Sequence, residues 1–290
     1  MTSNSSLPAR AGRRCHNPLN SLHSTVYFSP EYAKELTSIG IVDDEAPFVV
    51  GRVAALGTVG PGVVAAAFYN YSYDLIAKVV PAVWAIASPE AVLGARVRAA
   101  DAALRRLLGD EVLASDEMVE AAGLARRASE ACTRHARPLY AAHADLPFPE
   151  EPHLALWHAA TLLREHRGDG HLAALLTVGL DPVEALVSHT ATGRGMNPSW
   201  VLRTRGWSQA DWEAAADRLR GRGLLDAEGE LTEAGTALRA DLEDTTDRLD
   251  LAPYEHLGAA GVERLTELGR GFLMKAAAAG AFPETLLGKG

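Results

Sequence analysis

The sequence predicts a mainly α-helical protein built from two related lobes, and three observations predict it. The first is the stretch from Glu150 to Ala191. It reads as a helix from Pro152 to Arg167 that stops at Gly168-Asp169-Gly170, then a helix from His171 to Val178. Gly179 ends that helix as a left-handed cap. Asp181 caps a third, with Pro182 at its first position and Glu184 three residues after the cap. A helix, a tight glycine turn and a second helix give a helix-turn-helix outline. The second observation is the order helix, hairpin, helix between Trp200 and Asp250. The third is an internal similarity whose order is preserved along the chain. Together they predict winged-helix-like lobes with short β-hairpin wings.

Taken in order, residues 1–18 are expected to be a flexible tail. A helical lobe follows over 19–145. Leu19 to Gly40 reads as a helix carrying His23, Tyr27 and Phe28. It restarts at Ser29 as cap with Pro30 in the first helical position. Val42 to Gly62 is rich in Gly and Pro and reads as loop. A helix from Gly62 breaks near Pro81, and Ser88 and Ser115 cap the two helices after it. His143 to Pro152 holds three prolines and marks the boundary to a second, winged-helix-like lobe over 150–250. There Ser208 caps a helix from Gln209 to Gly221. Leu224-Leu225 and Leu231-Thr232 flank a turn as a small hairpin, and Thr232 or Glu233 opens a helix to Leu249. Residues 251–290 read as two more helices and a frayed end.

The similarity pairs Leu22-His23-Ser24-Thr25 with Trp157-His158-Ala159-Ala160, Pro61–Ala66 with Pro182–Val187, and Trp84–Gly109 with Trp207–Leu225. It makes His23 and His158 counterparts and sets Phe68 to Asn70 opposite His189. Ligand sites favour the seams between domains, so the lobe interface is the expected pocket.

Composition bounds the function. The chain has 290 residues, 48% of them hydrophobic and 22% charged, with a mean hydropathy of -0.02. That suffices for one sizeable core or two. No apolar run reaches the roughly 18 residues of a membrane helix, and the polar start lacks the apolar segment of a secretory signal. Two cysteines, Cys15 and Cys132, give neither a disulfide framework nor a zinc spacing. A cytoplasmic protein with no membrane partner is the expectation. The net charge of -9 disfavours nucleic acid, whose phosphates need a basic face.

The chemistry gathers around LREHRGDGH, which places Arg164, Glu165, His166, Arg167, Asp169 and His171 within eight positions. His158, Leu162 and His166 recur on one helical face. Imidazoles beside guanidinium and carboxylate groups can bind a metal or haem iron, do acid–base work, or form a salt-bridged structural turn. No HExxH is present, so the metal signal is weak, and a metal or haem held through histidine stays open. The candidate catalytic residues are His158, His23, His171 and His166. The candidate substrate contacts are Tyr27, Phe28, Phe68, Asn70, Trp157, Arg164, Arg167 and His189. His16, His135, His143, His153 and His256 read as surface or loop residues.

The segment RGWSQADWEAAADRLRGRGLLDAEGELTEAG, continuing to Leu249, resembles the winged-helix part of MarR-type regulators. The helix ending in RLRGRGLL, the short wing and LTEAG carry the resemblance. The chain from His16 to Pro283 resembles an actinobacterial family filed under helix-turn-helix. The residues behind this are His23, Tyr27-Phe28, Pro30-Glu31, Phe68-Tyr69-Asn70 and Leu156-Trp157-His158 through His171. That resemblance implies a fold and no activity. The MarR resemblance implies duplex binding by a homodimer. The residues argue against it, because Gln209, Asp211 and Glu213 open the expected reading helix and Asp226, Glu228 and Glu230 tip the wing. From Trp200 to Asp250 seven basic residues meet twelve acidic ones, a net of -5. The expected function is binding of a small molecule, with histidine-dependent catalysis as an open extension, in a pocket between lobes that no longer bind DNA. The alternative is a ligand-responsive, MarR-like transcriptional regulator.

Overall fold

Short polar residues cap eight of the fifteen α-helices among the described residues. In the computed structural model, which describes residues 7–8, 10–42 and 47–283, α1 is Ala11–Ser24 and runs into a 3₁₀ turn at Thr25–Phe28. It is followed by α2 (Pro30–Ser38), α3 (Pro47–Val53), α4 (Pro61–Phe68), α5 (Tyr73–Ile86) and α6 (Pro89–Leu108). Then come α7 (Asp110–Leu113), α8 (Asp116–Ser129) and α9 (Pro138–Ala144). The second half holds α10 (Pro152–Thr177), α11 (Pro182–Ala191), α12 (Pro198–Arg205), α13 (Gln209–Gly221), α14 (Glu233–Leu249) and α15 (Ala252–Ala278). The side chains of Ser29, Ser88, Ser115, Ser208 and Thr232 each accept the backbone N–H three residues on. Asp181 and Glu184 form a reciprocal capping box at α11. Each such bond satisfies a helix N–H that would otherwise lack a partner.

The protein is mainly helical, and α10 is its spine. At about 1.5 Å per residue its 26 residues run about 39 Å. Its first half packs into the main core, where Leu156, Ala160 and Leu163 meet α1 (Leu19, Leu22), α6 (Ala99, Ala103), α8 (Ala121, Ala125) and α15 (Leu265, Phe272). Alanines on α6 and α8 let the backbones approach closely. The last turns of α10 enter a second core, where Ala174 and Leu175 join Leu180, Val183, Val187, Ala215, Leu219 and Leu242. A third core joins α3, α4, α5 and α9 through Val49, Val53, Val64, Phe68, Ile76, Val80 and Leu139. Within the second core α11 leaves α10 at 101°, across Val178 to Asp181. Gly179 takes φ 64° in that turn, the left-handed conformation that glycine adopts without a Cβ clash. This is helix-turn-helix geometry.

Several expectations give way. The Gly168-Asp169-Gly170 stop does not form, and α10 continues through it. Gly170 serves packing instead. A Cβ there would lie 2.7 Å from Arg137 Nη1 and 3.4 Å from Leu249 Cβ. Residues 11–18 of the expected tail belong to α1, because Ala11, Cys15, His16 and Pro18 are buried against the core. Residues 1–6 and the last seven, including most of the expected frayed end, lie outside the described residues. So do residues 43–46 of the expected Val42–Gly62 loop, of which residues 47–53 form α3. Val49, Val50 and Val53 give α3 a buried face. The break expected near Pro81 falls at Tyr69 to Ser72, and Pro81 sits inside α5. Among the described residues there is no β-strand. The expected hairpin is reduced to one antiparallel bridge, Leu225 to Leu231. Thr232 turns at once into the cap of α14, which leaves no length for a strand. No single helix among the described residues is long and apolar enough to cross a membrane.

Candidate functional site

Four helices, α1, α10, α11 and α14, enclose a cleft of about 1010 Å³. One wall is α1 and the residue before it, with Arg10, Arg13, His16, Asn17 and Asn20. The floor is α10, with Arg164, Glu165, Arg167, Gly168 and His171, joined by Arg52 from α3. The opposite wall is α11 and α14, with His189, Thr236, Arg239 and Glu243, continued by Arg194 and by Glu230 and Leu231. Seven arginines and three histidines thus line the cleft against three glutamates, in a chain whose net charge is -9. Positions 164, 167 or 168, and 171 recur on one helical face. The continuity of α10 through its two glycines is what aligns them.

The arginines differ in how fully they are matched. Arg52 forms a two-pronged pair with the buried Glu165, at 2.9 and 2.7 Å. Burial pushes the Glu165 carboxyl up, but Arg52 overcomes this and holds it at about 2. Arg167 reaches Asp247 at 2.9 Å, Glu243 at 3.4 Å and Asp250 at 3.7 Å. Arg13 reaches Asp247 at 2.7 Å. Arg164 and Arg239 are under-matched. Arg164 bonds the Asn20 side chain, and its Nε lies 3.7 Å from Glu165, a carboxylate already committed to Arg52. Arg239 bonds His189 Nδ1 at 3.1 Å and lies 3.5 Å from Glu243, which Arg13 and Arg167 share. The Nε atoms of both are buried without a hydrogen-bond partner. Burial depresses both guanidinium pKa values, and for Arg164 the neighbouring Arg52 adds to it.

The cleft histidines are poised neutral. Burial lowers His171 to about 4, and Glu243 opposes this while Arg239, Arg167 and His189 add to it. Its Nδ1 lies 2.9 Å from Thr246 Oγ1. Burial and Arg239 likewise lower His189, and burial with Arg167 and Arg164 lowers His16 well below the usual histidine range.

Of the residues singled out from the sequence, Arg164, Arg167, His171 and His189 line the cleft. The rest lie elsewhere. His23 is buried on a stacked Trp157, with centroids 5.1 Å apart, and faces that tryptophan rather than His158. Tyr27, Thr161 and His23 surround the buried Arg96 guanidinium at 3.2 to 3.4 Å, and Arg96 lies over the Trp157 ring. His158 is buried with its ring edge-on to Phe148, and burial lowers its pKa to about 4. His166 is locked to Asp250 at 2.7 Å beside Tyr140. Phe28 packs on Phe48, Trp200 and Phe282, and Phe68 is core beneath Arg52. Asn70 meets the second half through its carbonyl, which accepts from Trp207 Nε1, and Tyr69 does so through Leu180. Neither reaches His189. These aromatic and imidazole groups are apolar enough to serve as core, and that is where the packing draws them.

Sequence reasoning passed over His16, Asn20, Arg52, Arg194 and Arg239. His16 stood in an assumed tail, and Arg239 in an acidic segment that masked its charge. His143 and His153, read as surface, are buried. His135 and His256 are exposed, as read. Among the described residues no three His, Cys, Asp or Glu side chains are arranged to hold a metal ion.

A family model described as a helix-turn-helix family matches residues 12–283. No curated protein and no solved structure matches the chain.

Proposed function

The chain belongs to this helix-turn-helix family over residues 12–283, and on that footing we propose that it is a small-molecule-binding protein whose ligand is an organic anion. The two halves are read as related winged-helix-like lobes, the second MarR-like, with the cleft along their seam. One observation carries the proposal. In an acidic protein, the cleft collects seven arginines against three glutamates, and two of those guanidinium groups have orphaned buried Nε atoms. A buried cation short of counter-charge is costly, and an anion of the right shape relieves that cost through charge-assisted hydrogen bonds. His171 and His189, neutral and beside the arginines, are the groups a reaction would use as base. Binding itself requires no reaction.

Family membership favours a second reading, a regulator that the ligand switches on DNA. The arginines of its reading face speak against it, because the protein's own acceptors occupy them. Arg218 binds Asp181 and Glu184, Arg220 binds Asp217, and Arg222 binds Glu184 and two carbonyls.

A thermal-shift and calorimetry panel of phosphorylated and carboxylated metabolites, each against its uncharged analogue at low salt, tests the first reading. Anionic members are expected to raise the melting temperature, and Arg239→Gln is expected to reduce that rise. An equal response to charged and uncharged members, or none, overturns it. Tight, salt-dependent retardation of duplex DNA would promote the regulator.

A further inference from the structure

The charge along the cleft is uneven. Its middle is internally neutralised, since Arg13 and Arg167 are both tied to the acids of α14. Under-matched cation remains at two places. One is Arg164 beside Asn20, on the α1 side. The other is Arg239 beside His189 and His171, on the α11 and α14 side. Arg239 lies at the His171 end, where it acts on that imidazole, and Arg164 and His171 are seven residues apart on one face of α10, about 10 Å along the helix axis. Gly168 lies between them and places no side chain in the way. At each place a buried guanidinium Nε lacks a hydrogen-bond partner, the Arg164 Nε lying no closer than 3.7 Å to Glu165, and Arg239 is 6% exposed.

We propose that the cleft holds two separate anion seats, one at Arg164 and one at Arg239, and that its ligand is an elongated organic molecule with an anionic group at each end. This rests on the anion-binding reading and narrows it. An anion at the Arg164 seat engages a guanidinium on α10 held by α1. An anion at the Arg239 seat engages a guanidinium on α14 held by α11. Such a ligand bridges the main core and the second core, and a molecule with a single anionic group does not.

Isothermal titration of the full chain with hexyl phosphate, pyrophosphate and hexanediol bisphosphate tests this. Hexanediol bisphosphate carries a phosphate at each end of a chain whose extended length suits the spacing, whereas both phosphates of pyrophosphate fall at one seat. The bisphosphate is expected to bind about a hundredfold tighter than hexyl phosphate, the gain of linking two weak contacts, and to outbind pyrophosphate. Arg164→Gln and Arg239→Gln are each expected to reduce it to the hexyl phosphate level. Arg264→Gln, which touches Glu120 and Glu267 on the exposed surface, is expected to leave it unchanged. A bisphosphate no tighter than hexyl phosphate overturns the two seats while leaving a single anion site standing. Pyrophosphate matching the bisphosphate overturns the spacing and with it the proposal. No binding by any of the three overturns the anion reading as well. The ligand comparison on the unaltered protein decides among these even if a variant fails to fold.

Discussion

Two carboxyl groups four residues apart on α10 behave oppositely, and partners decide which way each goes. Glu165 is held at about 2 because Arg52 outweighs its burial. Asp169 is pushed up to about 7 by burial, which the Tyr140 N–H bond only partly offsets. Its Oδ1 has no partner. A carboxyl with a folded pKa near 7 and an unfolded value of about 3.9 keeps its proton in the folded state over that range while the unfolded chain gives it up. Its contribution to stability is therefore greatest below about 4 and is lost as the pH rises toward about 7. Asp169→Asn keeps an acceptor for Tyr140 and removes the ionisation. In urea melts at about pH 5 and about pH 8, the wild type is predicted to lose stability relative to the variant as pH rises, leaving the variant the more stable at the higher pH. Parallel pH profiles for the two would refute the assignment.

At the scale of elements, the glycines of α10 separate two explanations for one sequence pattern. A turn would need them for backbone freedom, whereas a continuous helix needs only Gly170, for its contact with Arg137 and Leu249. Gly170→Ala is predicted to destabilise by about 1–3 kcal/mol through overpacking, because Arg137 is fixed by the carbonyls of His166 and Leu249. Gly168→Ala meets little beyond Glu165 Oε2 at 3.9 Å and is predicted to be neutral or to stabilise by up to about 1 kcal/mol. Denaturant midpoints of the two variants check this, and a loss at Gly168 equal to that at Gly170 would restore the turn. The contrast marks what the sequence could convey. Caps such as Ser29, Ser208 and Asp181 act over three residues and were legible. So was the Gly179 turn. Whether Gly170 breaks a helix or admits a neighbour depends on Arg137 and Leu249, which lie far away along the chain, and local pattern cannot report that. Thr232 reads both as the end of a strand and as a cap, and the cap of α14 takes it.

At the scale of the molecule, the cleft exists only because α1, α10, α11 and α14 meet. The sequence marked the α10 part of it, Arg164, Arg167 and His171, since these lie close together in one motif, and it marked His189. It also ranked His23 and His158 first, yet both went into the core, where stacking on Trp157 and packing on Phe148 use their rings. Arg239 stayed hidden because its significance comes from lacking a full counter-charge, and α14 is crowded with acids that turn out to serve Arg13 and Arg167. The central claim is thus about which guanidinium groups are available to a ligand. The most direct measurement is the arginine Nε–H region of a nitrogen–proton correlation spectrum, assigned by single substitution, during titration with hexanediol bisphosphate. The account predicts that the Arg164 and Arg239 signals shift together and saturate at one stoichiometry, while Arg218 and Arg264 on the surface stay in place. Shifts confined to surface arginines, or no shift at Arg164 and Arg239 at saturating ligand, would contradict it.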